Sequence, residues 1–282
     1  MSSIYKPIFE EIFNSSAPYI VNDFSKIKGQ NGNSIQNFVS STLVMIFDAT
    51  IKSLEKARYN GLLVLQDNFV LDKYTKISSL EVINKSKSLL KKRINVENNG
   101  IRLSNAREEA TPSRITMLFD GISAFSNGVA GFSVVLCLQE ADNNSEFKTQ
   151  FVMSYDPITK ETCSFDGNDG FRFNDIKIAT DEITQEKIIN SVIVNDYSSP
   201  FHFNINKMVE ASNACVVNNS FFNAFNLLMT TKINLLICLK PKGAEMFDLV
   251  EFCCKVSGLE IKEINGYLMI GKKTFLDKIY QE

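Results

Sequence analysis

Apolar residues recur at three- and four-residue steps between Asn37 and Tyr59, at Phe38, Leu43, Ile46, Phe47, Ile51 and Leu54. That spacing puts them on one face of a helix. Ahead of it, Tyr5 to Phe24 carries Ile8, Ile12, Tyr19 and Ile20 in a looser helical pattern with Pro18 inside it. The run Leu62 to Leu65 reads as a strand. Further strands are expected at Arg114–Phe119, at the Val-rich Gly131–Leu138, and at Phe151–Tyr155 and Thr162–Phe165. The last two flank Asp156-Pro157-Ile158-Thr159-Lys160, whose Asp-Pro pair suits a hairpin turn. Residues 75–112 are polar and rich in Lys and Asn, and read as a helix and loop excursion without a definite place.

Toward the end of the chain the period changes repeatedly. Helices are expected at Asn219–Thr231, Phe247–Val256 and from Lys273 onward, with strands at Ile233–Leu239 and Tyr267–Ile270. Strand clusters followed by helix–strand alternation predict a mixed α/β (α+β) fold. Its N-terminal α+β part would cover residues 1–180, with two helices and an antiparallel sheet, and its smaller α/β part residues 181–282. The chain is long enough to bury a full core.

Composition narrows the function classes. With 44% hydrophobic and 22% charged residues, the chain has the profile of an ordinary globular protein. Its 30 basic and 32 acidic residues nearly cancel, without the basic excess that direct nucleic-acid binding requires. The densest basic cluster, Lys91-Lys92-Arg93, reads as a solvated helix end. Glu10 and Glu11 interrupt the apolar core a signal peptide would need. The longest apolar stretch, Ile233–Leu239, is far too short to span a bilayer. A cytoplasmic protein with no membrane partner is therefore expected. The six cysteines lack CxxC spacing and read as structural thiols, and the single histidine, His202, reads as a strand residue.

The informative stretch is Met117-Leu118-Phe119-Asp120-Gly121-Ile122-Ser123-Ala124-Phe125-Ser126-Asn127-Gly128. It resembles the inositol monophosphatase signature D-P-x-D-G-T-x-N-F-x-x-G, which is likewise followed by a strand. Further degenerate resemblances follow in the family's order. Asn37-Phe38-Val39-Ser40 looks like D-[FL]-V-T, and Gln66-Asp67 falls where the family has a Glu-Glu pair. Tyr155-Asp156-Pro157-Ile158-Thr159-Lys160-Glu161 is similar to Y-N-P-V-T-G-E. Phe247-Asp248-Leu249-Val250, with Ser257-Gly258 beyond it, resembles W-D-x-A-A-G and its trailing Gly-Gly. Asn219-Ser220 and Lys232-Ile233-Asn234 sit at the family's Gly-Ser and G-R-x-D elements. The resemblance spans residues 35 to 275 and implies a layered αβαβα sandwich of the sugar-phosphatase type. It also implies hydrolysis of phosphate monoesters with Mg²⁺, and a homodimer.

Magnesium requires hard oxygen ligands in near-octahedral geometry. Two such ions about 3.5–4 Å apart activate a water and stabilise a leaving oxygen. Carried over by resemblance, the metal ligands would be Asp120, Asp248 and the Phe119 carbonyl. The first Glu of the family's pair is Gln66 here, with only a neutral amide oxygen. The bridging Asp is Met117, whose soft thioether suits magnesium poorly. Asp67 would replace Gln66 only if its side chain turned toward the same place. The Thr and Asp that position the attacking water in the family are Ile122 and Leu43, both aliphatic. No catalytic residue is therefore assigned.

Backbone N–H groups at Gly121, Ile122 and Ser123 would still offer a phosphate-binding turn. In the plainer reading, Asp120 caps a helix and Asp248 is solvated at another helix start. Lys240 and Lys242, flanking Pro241, are either a solvated loop or a source of phosphate steering. Two functions remain open. One is a degraded phosphatase scaffold that acts by binding a phosphate-containing small molecule or a protein, with weak or no Mg²⁺. The other is a working Mg²⁺-dependent phosphatase that uses Asp67, Asp120 and Asp248.

Overall fold

The computed structural model describes residues 2–27, 32–66, 79–90, 95–97, 100–103, 113–142, 145–178, 190–194, 214–218, 220–230, 233–241 and 243–281. Two compact units divide the chain, Met1–Glu161 and Thr162–Glu282. The expected division at 180/181 falls within 179–189, outside the described residues.

The first unit opens with two long helices, α1 (Ser2–Ile27) and α2 (Gly32–Lys56). Helix α1 runs unbroken past Pro7 and Pro18, longer than its loose periodicity suggests. Both prolines are on exposed positions, so the carbonyl each ring leaves unpaired can be hydrated. The opposite face buries Phe9, Ile12, Phe13 and Ile20. Helix α2 covers the expected segment and starts earlier, burying Val39, Leu43, Ile46, Phe47, Ile51 and Leu54. The two helices are also joined by polar contacts. Thr42 donates to Asp23 at 2.6 Å, and Lys56 pairs with Glu11 at 2.9 Å.

Strand β1 (Gly61–Leu65) follows directly, then α3 (Ser79–Leu90), β2 (Asn95–Glu97) and β3 (Gly100–Leu103). The polar excursion thus contains two strands that its composition did not suggest. The sheet of this unit is completed by β4 (Ser113–Asp120), β5 (Ser133–Ala141) and β6 (Phe147–Asp156), in the order β2-β3-β1-β4-β5-β6. Strands β1 and β4 run parallel and bring Leu65 opposite Met117, whereas the other neighbours are antiparallel. One face of this sheet, with Leu63, Leu65, Ile115, Met117, Phe119, Leu136 and Met153, joins α1 and α2 in a single apolar core.

The second unit starts with a meander of β7 (Glu161–Asp166), β8 (Gly170–Phe173) and β9 (Ile176–Lys177). It then builds a five-stranded sheet from β10 (Asn190–Val194), β11 (Ala214–Asn218), β12 (Leu235–Leu239), β13 (Glu260–Ile264) and β14 (Tyr267–Gly271). The order is β11-β10-β12-β14-β13, with β10 parallel to β11 and β12. Helices α5 (Phe221–Met229), α6 (Ala244–Val256) and α7 (Lys273–Gln281) alternate with these strands. Strand β13 was not expected, because its sequence EIKEI lacks an apolar run. It forms by pairing with β14, while Lys262 reaches Asp277 of α7 at 2.7 Å.

The architecture is mixed α/β, as expected. Five cysteines, at 137, 163, 238, 253 and 254, are buried and unbridged, consistent with structural thiols. His202 and Lys91–Arg93 are outside the described residues. Among the described residues no helix is long and apolar enough to cross a membrane.

Candidate functional site

The candidate site of the first unit is assembled by the parallel pairing of β1 with β4. The Gln66 amide donates to the Met117 carbonyl at 2.9 Å, so β1 leaves the sheet beside the last turn of β4. Strand β4 ends at Asp120, and the chain reverses at Gly121, where φ is +76°. Glycine reaches that left-handed conformation without the Cβ clash other residues meet. A single helical turn, α4 (Ile122–Ser126), follows, with the Phe125 amide bonded to the Gly121 carbonyl at 3.1 Å. Helix α4 packs against α2, which carries Leu43.

Fold and pairing therefore bring Leu43, Gln66, Met117, Phe119, Asp120, Gly121 and Ile122 into one unit. Their surroundings are apolar. Leu43 is 2%, Met117 0%, Phe119 3% and Ile122 4% exposed, and all four belong to the same contiguous hydrophobic core. Burying a Leu or an Ile side chain stabilises by about 1.5–3 kcal/mol each. Leu43 and Ile122, which the motif resemblance sets at its water-positioning positions, thus contribute as core residues. Met117 Sδ lies 3.6 Å from the Thr50 hydroxyl of α2, which also reaches the Ile46 carbonyl at 2.9 Å. Thr50 went unnoticed in the sequence, since a lone Thr inside a helix carries no signal of its own.

Asp120 is 2% exposed at the strand end, while Gln66 is half-buried. Asp67 and the side chain of Ser123 are outside the described residues. Asp248 belongs to the second unit, where it is exposed in the second turn of α6. Ser220, in the Asn219-Ser220 element, is the N-cap of α5 and accepts from the Asn223 amide at 3.1 Å. Lys240 is engaged by Glu263 at 2.7 Å and lies 5.2 Å from the Phe247 ring. Lys242 is outside the described residues.

Leu43, Met117 and Ile122 offer a magnesium ion no hard oxygen side-chain donor. A thioether buried in an apolar core offers a hard dication nothing that water does not offer better. Among the described residues, no group of three or more His, Cys, Asp or Glu side chains could hold a metal ion.

The hairpin that resembles Y-N-P-V-T-G-E has a buried carboxylate at its centre. Asp156 Oδ1 accepts from the Ile158 and Thr159 amides at 2.8 and 3.3 Å, and Oδ2 from the Gly131 amide at 3.2 Å. The side chain therefore ties the β6–β7 turn to the loop that follows α4. Burial pushes its pKa above the ordinary 3.8, outweighing the three backbone N–H bonds that pull it down. A carboxyl raised in the folded state contributes stability that is complete below its unfolded value and lost as pH rises through the folded one. As pH rises through the acidic range above the ordinary value of 3.8, the wild type is expected to lose stability relative to Asp156→Asn. Urea midpoints of both proteins across that range check this, and parallel curves would refute it.

Comparison with known proteins places the fold. No family model and no curated protein sequence matches the chain. Solved structures do match over nearly its whole length. Inositol monophosphatase II from Staphylococcus aureus superposes with a TM-score of 0.64 at 9% identity, covering 100% of this chain and 95% of that one. The extragenic suppressor protein SuhB from Bartonella henselae gives 0.61 at 13% identity, covering 98% and 96%. SaIMPase-II with inositol monophosphate bound gives 0.60 at 10% identity, covering 98% and 92%. The chain has the inositol monophosphatase-type fold, and at these identities the likeness speaks for the fold alone.

Proposed function

We propose that this chain uses an inositol-monophosphatase-type fold for binding, and that it is weak or inactive as a magnesium-dependent phosphatase. The observation that carries this reading is the burial of Leu43, Met117 and Ile122 in one apolar core, at the positions where the resembling family places a water-positioning pair and a bridging carboxylate. Without the bridging carboxylate, two dications would sit close together with too little negative charge between them. Without the polar pair, an attacking water has nothing to orient it. A single weakly held ion would polarise a phosphoryl oxygen yet supply little hydroxide near neutral pH.

The ligand class that suits such a scaffold is a phosphate-containing small molecule, since a related fold has been crystallised with inositol monophosphate. A protein partner is the other candidate, and the protein is proposed to act in the cytoplasm as a homodimer. The second reading, a working phosphatase with Asp67, Asp120 and Asp248 as metal ligands, draws on one feature: Asp120 is retained, buried, at the end of β4.

Calorimetric titration of chelator-treated protein with Mg²⁺ and Mn²⁺, with inorganic phosphate present, separates the two. No saturable binding at millimolar metal, and no phosphate release from inositol or sugar monophosphates, is the expected result. Metal-dependent turnover that disappears in Asp120→Asn would overturn the binding reading.

A further inference from the structure

The turn after β4 is held by side-chain packing. It is anchored from within by Ile122 and Phe125, 4% and 0% exposed. The Phe125 ring lies 4.9 Å from that of Phe132 and 5.9 Å from that of Phe24 on α1, and Phe132 in turn stacks 6.1 Å from Phe119. Leu43 of α2 and Met117 of β4 belong to the same apolar cluster. The backbone closes on itself as well. The Gly128 and Val129 amides donate to the carbonyls of Phe125 and Ala124 at 3.0 and 2.9 Å, and the Ser126 hydroxyl donates to the Ile122 carbonyl at 2.9 Å. The far end of the loop is fastened by the Gly131–Asp156 bond.

We infer that Leu43, Met117 and Ile122 form an apolar plug that orders the 120–131 turn constitutively, by packing against α2 and without a bound ion. This rests on the binding reading above and extends it: whatever the chain binds meets a turn that is already closed. Packing of this kind is bistable only if the core itself opens, so local opening of the turn is governed by the plug and not by solution ions.

Native-state hydrogen exchange on the full chain tests the inference. Protection of the Phe125, Gly128 and Val129 amides is measured in chelator, in 5–10 mM Mg²⁺ (about the millimolar scale of weak sites), and in Mg²⁺ with inorganic phosphate. Equal protection in all three is expected, together with at least a tenfold loss at these amides in Leu43→Ala. If Leu43→Ala does not fold, Ile122→Val provides the milder cut and should lower the same amides by a smaller factor. Protection that rises tenfold with Mg²⁺ and phosphate, or amides untouched by either substitution, would overturn the plug. Turnover measurements fail separately: metal-dependent hydrolysis with unchanged protection would sink the binding reading and leave the plug standing.

Discussion

Met117→Asp, which introduces the carboxylate that the motif resemblance sets at that position, is expected to unfold the first unit instead of creating a metal site. Met117 is fully buried on β4, opposite Leu65 of β1, and its neighbours in the core are Leu43, Phe119 and Ile122. Among the described residues, the polar contact of its side chain is the Thr50 hydroxyl at 3.6 Å. A carboxylate there would lose its hydration with one neutral donor in return, and buried charge without a partner is among the most costly of substitutions. The loss is expected to be about 4 kcal/mol or more, comparable with the whole stability of many domains. Urea denaturation followed by circular dichroism measures it, with and without millimolar Mg²⁺. A soluble, cooperatively folding variant whose midpoint rises with Mg²⁺ would mean that the position is still a ligand site.

Phe225→Ala should have the largest effect in the second unit. Phe225 is fully buried on α5, with ring centroids 5.3 Å from Phe165, 5.6 Å from Phe221 and 6.4 Å from Phe171. These rings join the helix to the β7–β8 hairpin, so truncation leaves a cavity that several rigid aromatic walls cannot close. Phe→Ala at such sites costs about 3–5 kcal/mol through lost transfer energy plus the cavity. The thermal midpoint should fall by about 10 °C or more for a unit of this size. A fall of only a degree or two would show that the aromatic cluster collapses around the gap.

Where one segment's own pattern was sufficient, its fate was legible in the residues. The three- and four-residue steps from Phe38 to Leu54 specify α2 because they place one apolar stripe on one helical face. Asp156-Pro157 specifies its turn because the Asp side chain can bond the Ile158 and Thr159 amides locally. The order of degenerate motifs from Asn37 to Gly258 was enough to anticipate the inositol monophosphatase-type fold. Strands β2, β3 and β13 escaped notice because their own side chains are mixed or charged, although β2 and β13 each pair with the strand that follows them.

For the candidate site the division is sharper. The identities Leu43, Gln66, Met117 and Ile122 already excluded the hard, charged donors that magnesium prefers, since a side chain's donor chemistry does not depend on its surroundings. What they had become instead was decided only in three dimensions. The parallel register of β1 on β4 sets Gln66 beside Met117, and the packing of α2 against α4 draws Leu43, Met117, Phe119 and Ile122 into one apolar core, with the Thr50 hydroxyl against Met117. Burial is a property of what covers a residue, and for these residues the covering groups come from strands and helices distant in the chain.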